Sequence, residues 1–173
     1  KKEIWSTSLK KNKVNARVWS GFSFDTETKS LFVVTSNPGG IIGEDRSGDD
    51  FSASLISIDS DSGKIKWQYK HVVNDLWDFD LISNPIIVKK LKVIDKKKLV
   101  NCVIALSKTG DVIMVDIDTG LPVFDNSYVD VLVQKSDMKN VYTPSTQKFY
   151  LKPEKFSNIE VDLDNDFDHL EED

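Results

Sequence analysis

Hydrophobic and polar residues alternate with a period of two in short segments along most of this chain. Such alternation is typical of β-strands that bury one face. The apolar pairs that mark the segments are Phe22 and Phe24, Leu31 and Val33, Ile65 and Trp67, Val103 and Ala105, and Val112 and Met114. Clusters of Asp, Ser, Thr and Gly separate the segments and indicate tight turns. No segment has the periodicity of a three-turn helix, so the pattern predicts an all-β protein.

A unit of strand, turn and strand occurs twice. The segment LISIDSDSGKIKW at 55–67 aligns with VIMVDIDTGLPVF at 112–124, and the turn glycines Gly63 and Gly120 are 57 residues apart. Four-stranded units that repeat every roughly 40–60 residues are typical of β-propeller blades. The repeat therefore predicts four-stranded antiparallel sheets stacked as blades.

We expect residues 1–173 to form a single partial propeller domain with about two complete blades. The first blade is expected over 21–70 and the second over 84–125, and 126–173 would be an irregular or next-blade segment with an acidic end. A propeller closes with about four to eight blades. Two blades cannot close a ring, so either a partner covers the open edges or the chain is a fragment of a longer protein. We favour the fragment, and expect the remaining blades of the parent chain to complete the ring.

Composition and charge exclude several classes of protein. A chain of 173 residues with 39% hydrophobic content can form one domain with its own core. The net charge of −5, without a basic stripe interleaved with aromatic residues, argues against a nucleic-acid partner. No apolar run approaches the roughly 18 residues of a membrane-spanning helix. The single cysteine, Cys102, excludes an intramolecular disulfide and a cysteine-based zinc site.

The acidic segments do not have the pattern of a known calcium loop. Residues 160–173 contain eight acids, but Phe167 and Asp173 stand where an EF-hand loop needs Gly and Glu. We interpret this stretch as a solvated acidic end. The Asp-x-Asp-x-Gly sequences at 59–63 and 116–120 are interpreted as tight turns between strands rather than as metal sites.

Three segments, taken in order, carry a family resemblance: 18–40, 52–81 and 103–124. They contain Trp19-Ser20 before the first hairpin, LWDFD at 76–80 after a Gly-Lys-x-x-Trp strand, and a Lys-Thr-Gly turn at 108–110. Together with TPSTQ at 143–147, they resemble the quinoprotein alcohol and glucose dehydrogenases, and most of all the glucose/quinate branch. These enzymes use pyrroloquinoline quinone (PQQ). The resemblance covers about residues 17–150 and implies an eight-bladed ring.

The resemblance implies roles for three residues. Asn37 is similar to the family's amide ligand of a Ca²⁺ ion, another divalent cation or a lanthanide. Asp78 is similar to the general base, which also binds that cation, and Lys108 is similar to the lysine that hydrogen-bonds the quinone. Hydride removal from an alcohol needs a base to accept the hydroxyl proton. A metal cation and a lysine ammonium group stabilise the negative charge that develops on the quinone oxygen. Trp67 would dock one blade on the next, and Trp77 would pack near the channel.

The implied function is oxidation of an alcohol, polyol or sugar by hydride transfer to PQQ, with a quinone or a cytochrome as electron acceptor. A periplasmic location follows from the same resemblance, with any membrane anchor in a segment outside these residues. We expect the fragment alone to be inactive, because other blades supply several cofactor contacts in the family.

Two departures from the family keep other interpretations open. Val73 and Asn74 stand where the family has a His, often a His pair. Asp80 resembles an acid that accompanies lanthanide use, but the glucose-type branch shares it, so it does not identify the metal. One alternative is a non-catalytic propeller of the same repeats that acts as a protein-binding or assembly scaffold. Another is a degenerate quinoprotein that folds but no longer turns over.

Overall fold

The structure is a computed structural model that describes residues 2–11, 14–37, 51–72, 75, 78–93, 98–124, 128–132 and 146–150. Every regular element in these ranges is a β-strand. The strands are β1 (Lys10–Lys11), β2 (Val14–Asn15), β3 (Val18–Asp25), β4 (Ser30–Thr35), β5 (Ser54–Asp59), β6 (Ile65–Lys70), β7 (Ile86–Leu91), β8 (Val100–Leu106), β9 (Val112–Asp116), β10 (Tyr128–Leu132) and β11 (Thr146–Tyr150). The all-β prediction is confirmed. Within the described ranges, no helix has the length and apolar character needed to cross a bilayer.

Strands β3 to β6 form a four-stranded antiparallel sheet in the order of the chain, which we call the first sheet. The turn between β5 and β6 is the first Asp-x-Asp-x-Gly sequence. Asp59 Oδ1 accepts hydrogen bonds from the backbone N–H and the hydroxyl of Ser62, and Gly63 adopts a φ of 72°. The aspartate therefore closes a tight turn, as the sequence predicts.

Strands β7 to β9 form the second sheet, which has three antiparallel strands in the described residues. We expected four strands here. Where the fourth would pair with β9, the structure has an isolated bridge between Val115 and Pro122. The residues that flank Pro122 make the two backbone hydrogen bonds of this bridge, from Asp116 N–H to Leu121 O at 2.8 Å and from Val123 N–H to Met114 O at 2.9 Å. The missing N–H of Pro122 therefore costs no bond to β9.

Two further hairpins lie outside these sheets. Strand β1 pairs with β2, and β10 pairs with β11 in a register that runs from Tyr128 opposite Tyr150 to Leu132 opposite Thr146. The second hairpin shows regular pairing within the expected 126–173 segment. The acidic residues 160–173 lie outside the described residues.

The two main sheets pack face to face around a shared core. Phe32, Val34 and Leu55 of the first sheet contact the same cluster as Val103 and Val115 of the second, and all five are 0% exposed. The opposite face of β4 and β5 is also buried, because Val33 and Ile56 pack against the segment containing Trp5. These central strands therefore bury both faces.

Two tryptophans pack in the same way on neighbouring turns. A Cβ added to Gly120 would lie 2.6 Å from the ring of Trp67, whose indole N–H donates to the carbonyl of Ile117 at 3.1 Å. Trp5 repeats this arrangement on Gly63, since a Cβ there would also lie 2.6 Å from its ring. Its indole N–H donates to the carbonyl of Ser60 at 2.8 Å. We call each such pair a Trp–Gly lock.

The first strands of the two sheets are also joined side by side. The backbone N–H of Gly21 donates to Asn84 Oδ1 at 2.6 Å, and the hydroxyl of Ser20 donates to the carbonyl of Ser83 at 3.2 Å. At the far end of β3, Lys89 Nζ lies 2.8 Å from Asp25 Oδ2. These contacts fix the ends of β3 and β7 relative to each other, next to the segment that contains Asp78.

Candidate active site

Lys108 lies at the tip of the turn that joins β8 to β9. The backbone N–H of Gly110 donates to the carbonyl of Ser107 at 3.1 Å, and Gly110 has a φ of 81°. The carbonyl of Asp80 accepts a hydrogen bond from the backbone N–H of Lys108 at 3.1 Å. The turn is therefore anchored to the segment that leads from the first sheet into the second.

The side chain of Lys108 binds two carboxylates. Its Nζ lies 2.7 Å from Asp78 Oδ2 and 2.7 Å from Asp80 Oδ1. Asp80 is 3% exposed at its side chain, whereas that of Asp78 is 56% exposed. The buried acid therefore anchors the ammonium, and the exposed acid is the one that an incoming group can reach.

Asn37 joins the cluster through its backbone. Its N–H donates to Asp80 Oδ2 at 2.8 Å, and its carbonyl accepts a hydrogen bond from the hydroxyl of Ser36 at 2.9 Å. Asp80 thus connects the end of β4 to the turn after β8. The structure brings the three residues predicted from the sequence, Asn37, Asp78 and Lys108, together around Asp80.

The two acids keep Lys108 positively charged. Burial by itself lowers the pKa of Lys108, but the hydrogen bonds to Asp78 and then Asp80 outweigh it and raise that pKa above its usual value. The ammonium also lies 4.9 Å from the centre of the Trp19 ring, within range of a cation–π contact. The indole N–H of Trp19 donates to the carbonyl of Leu81 at 2.9 Å, which holds the ring beside the cluster.

Asp78 has a backbone conformation that is uncommon for residues other than glycine. Its φ is 66°, in the left-handed region. One residue further on, the backbone N–H of Phe79 donates to Asp75 Oδ1 at 3.0 Å, and Asp75 is 1% exposed. The buried Asp75 therefore fixes the segment that presents Asp78. Trp77, Val73 and Asn74, which we singled out from the sequence, lie outside the described residues.

Sequence reasoning missed a buried histidine next to the turn. His71 is 2% exposed, and its Nε2 lies 3.4 Å from Thr109 Oγ1 and 3.7 Å from Asp111 Oδ2. Burial lowers the pKa of His71 to about 4, and the nearby Asp111 carboxylate only partly opposes this. The sequence signal was one histidine at the end of the Gly-Lys-x-x-Trp strand, which alone does not indicate its partners.

Comparisons with known proteins identify the family of this chain. The family described as the PQQ glucose/ethanol/alcohol dehydrogenase β-propeller domain matches residues 1–172. This chain belongs to that PQQ dehydrogenase family. The resemblance inferred from the sequence is thereby confirmed.

Two curated relatives show how much of such a protein the chain represents. It is 29% identical over 133 residues to a probable quinate dehydrogenase (quinone) of Xanthomonas campestris pv. juglandis, covering 75% of this chain and 16% of that protein. It is 36% identical over 80 residues to a quinoprotein glucose dehydrogenase of Gluconobacter oxydans, covering 45% of this chain and 10% of that protein. The chain spans less than a fifth of either relative.

Solved structures of the PQQ dehydrogenase family have the same fold. A quinohemoprotein alcohol dehydrogenase from Comamonas testosteroni superposes with a TM-score of 0.59 at 23% identity, covering 80% of this chain and 20% of that one. A europium-containing methanol dehydrogenase gives a TM-score of 0.55 at 28% identity, covering 62% of this chain and 18% of the other. The two main sheets are therefore blades of a β-propeller.

The donor atoms of the cluster fit one side of a site for PQQ and a hard cation. Asp78 offers an exposed carboxylate, which suits calcium or a lanthanide, and Lys108 offers N–H groups that suit a quinone oxygen. No group of three or more His, Cys, Asp or Glu that could hold a metal occurs among the residues the structure describes. The fit is therefore to a partial site.

Proposed function

We propose that this chain is the part of a PQQ-dependent dehydrogenase that carries its general base and one quinone contact. The substrate would be an alcohol, polyol or sugar. The observation that carries the proposal is that the exposed Asp78 carboxylate and the Lys108 ammonium lie 2.7 Å apart, on segments that lead from one blade into the next. The resemblance assigns a role in the chemistry to both residues.

Asp78 would accept the hydroxyl proton of the substrate. The carboxylate form of an aspartate is the form that can act as a base. Its exposure leaves room for a hydroxyl group to approach. Asp80 would act through Lys108, since its two oxygens bind that ammonium and the Asn37 N–H.

Lys108 would donate a hydrogen bond to a quinone oxygen and stabilise negative charge there. PQQ would supply the hydride acceptor, and Ca²⁺ or another divalent cation or a lanthanide would supply Lewis acidity. Asp78 and the side-chain amide of Asn37 would contribute oxygen ligands to that cation. The remaining ligands would come from other blades of the parent protein.

A quinone or a cytochrome as electron acceptor and a periplasmic location belong to the same proposal. A relative from Comamonas testosteroni, 29% identical over 118 residues, is named as a quinohemoprotein, and the Xanthomonas relative's name includes a quinone, which supports both kinds of acceptor. Cell fractionation of the source organism, with an antibody to this protein, tests the location. Recovery in the cytoplasm would contradict it.

The proposal is tested by PQQ-dependent dye reduction with the full-length protein and a panel of alcohols, polyols and sugars. Calcium or a lanthanide is supplied, and the Asp78→Ala variant is compared with wild type. We expect turnover that needs both PQQ and the metal, and its loss by roughly a thousandfold or more in the variant, because the base is removed.

Asp61→Ala is the matched control for Asp78→Ala. Asp61 Oδ2 lies 2.7 Å from Lys29 Nζ in an exposed pair of the first sheet, so the control removes a similar pair away from the cluster. Activity should be unchanged. A folded full-length protein that neither binds PQQ nor turns over any substrate would instead favour the scaffold interpretation.

A further inference from the structure

A polar cluster joins the turn that carries Lys108 to the end of the first sheet, and the proposed chemistry does not use it. The cluster consists of His71, Ser107, Thr109 and Asp111. His71 and Ser107 are 2% and 3% exposed. Three of these residues belong to the second blade, and His71 follows β6 of the first blade.

The hydroxyl of Thr109 is the centre of this cluster. It donates to Asp111 Oδ2, and its oxygen lies 2.6 Å from Ser107 Oγ and 3.4 Å from His71 Nε2. Because the Thr109 proton goes to Asp111, the oxygen can accept hydrogen bonds from the serine hydroxyl and from a histidine N–H. A neutral His71 with its proton on Nε2 fits this arrangement.

His71 is itself held in place by the first sheet. Its backbone N–H donates to the carbonyl of Ala53 at 2.9 Å, and it continues directly from β6. The other contacts that hold the turn come from the segment after Asp78. The carbonyl of Asp80 accepts a hydrogen bond from the Lys108 N–H, and Leu81 forms an isolated antiparallel β-bridge with Ser107. His71 therefore adds a contact from the first sheet to the residue that follows Lys108.

We propose that His71 is a positioning residue that acts through Thr109 on the Ser107–Asp111 turn and fixes Lys108 against Asp78. This proposal rests on the proposed function of Lys108. Thr109 is bonded to Lys108 in the chain, so movement of its hydroxyl moves the backbone from which the ammonium extends. The Asp78–Lys108 pair is correctly placed only while the turn keeps its position against the first blade.

The test compares His71→Leu, His71→Gln and Thr109→Val in the full-length protein. The first readout is the rate at which acetic anhydride acetylates Lys108 in the absence of PQQ, followed by peptide mass spectrometry. Lys29 in the same samples is the internal reference, because its exposed pair with Asp61 lies in the first sheet. The second readout is kcat and KM in PQQ-dependent dye reduction.

We expect His71→Leu and Thr109→Val each to raise the acetylation rate of Lys108 by at least about threefold, since the turn opens more often. Lys29 should not change. The value of kcat should fall roughly tenfold, because misplacing a reactive group slows chemistry more than it weakens substrate binding. His71→Gln keeps a side-chain N–H near the position of Nε2 and should restore both readouts toward wild type.

Thr28→Val is the matched control for Thr109→Val. The hydroxyl of Thr28 donates to Asp25 Oδ2 at 2.6 Å in the turn after β3, so this variant removes a comparable contact in a different turn. Lys108 should react as in wild type.

An unchanged acetylation rate of Lys108 in both His71→Leu and Thr109→Val would overturn the proposal. Equal acceleration of Lys29 and Lys108 would also overturn it, since that result indicates general loosening. Acetylation is measured without PQQ, so it decides the position of Lys108 separately from whether the wild-type enzyme turns over.

Discussion

At the scale of single residues, Asp80 organises the candidate site. One of its oxygens pairs with Lys108, the other accepts the Asn37 N–H, and its own carbonyl accepts the Lys108 N–H. With its side chain 3% exposed, Asp80 is poorly placed to meet a substrate. Asp78, two positions earlier, has the opposite character. Two acids close in sequence thus differ in accessibility, and this separates the supporting carboxylate from the one to which the proposal assigns the chemistry.

Because His71 is buried, the stability of the protein should depend on pH in a specific window. Its pKa is lowered to about 4 in the folded state from 6.5, so between these values the unfolded chain binds a proton that the folded chain does not. The free energy of unfolding should therefore fall as the pH decreases from 6.5 toward 4. Asp111 faces the ring and opposes this shift without reversing it.

The check is urea unfolding of wild type and His71→Gln across that pH range. Glutamine does not titrate, so the variant should lose less stability than wild type between pH 6.5 and 4. Parallel curves for the two proteins would show that His71 is not protonated selectively in the unfolded state.

The site was only partly predictable from the sequence, for a physical reason. Asn37, Asp78 and Lys108 were named because each lies in a recognisable motif. Two contacts depend on how distant segments place their side chains. Asp80 contacts Asn37 across a separation of 43 residues, and His71 contacts Thr109 across 38. Local patterns carry no information on such pairings.

At the scale of strands and turns, the Trp67–Gly120 lock joins the two main sheets, and the Trp5–Gly63 lock joins the N-terminal segment to the first sheet. The docking role of Trp67 was expected, but the equivalent role of Trp5 was missed. Its signal was present as Lys2-Glu3-Ile4-Trp5, which has the Lys-x-x-Trp spacing of the later strand. The fourth strand of the second blade was predicted from the repeat alone. In the described residues, that position has only an isolated bridge between Val115 and Pro122.

Alanine substitutions at Gly110 and Gly120 should distinguish the stability lost by disturbing a Trp–Gly lock from the stability lost by straining the backbone of a turn. Gly110 has a φ of 81° and open space around its Cα, so Gly110→Ala should cost about 1–2 kcal/mol from the left-handed backbone alone. Gly120 has a φ of 69° and contacts the Trp67 ring, so Gly120→Ala should cost about 1–3 kcal/mol more through overpacking.

Unfolding by urea of the two full-length variants measures the difference. Tryptophan fluorescence gives a second readout, because the Trp67 ring should be displaced only in Gly120→Ala. Equal losses of stability would mean that the Trp67 ring moves away freely and does not hold the blades together.

At the scale of the whole molecule, the two blades share a core and are also joined at their edges. Asp25 is buried at the end of β3, and burial alone would raise its pKa. The hydrogen bonds from Lys89 and Thr28 outweigh burial and lower that pKa below its usual value. Lys89 also binds Glu27 at 3.1 Å, so one lysine of the second blade holds two acids of the first.

Lys89→Met should therefore lower the free energy of unfolding at neutral pH by about 1–2 kcal/mol, because a buried carboxylate loses a charged donor. The stability that ionised Asp25 contributes is present above the ordinary aspartate pKa and is lost as the pH falls through the lowered value. The difference between variant and wild type should thus shrink in acid. Urea unfolding at several pH values measures it.

The control is Lys29→Met, which removes the exposed pair with Asp61 within the first blade. Exposed pairs contribute little to stability, so no measurable change is expected. If the two variants lost the same stability at every pH, Lys89 would not be a bridge between blades.

The left-handed backbone at Asp78 has a consequence for how this protein can change over generations. Glycine would adopt that conformation at little steric cost, whereas a side chain there costs about 1–2 kcal/mol. If Asp78 has the proposed role, loss of that role would free this position to change to glycine, which relieves the backbone strain. The identity of residue 78 in natural variants would therefore record whether selection acts on the proposed role of Asp78.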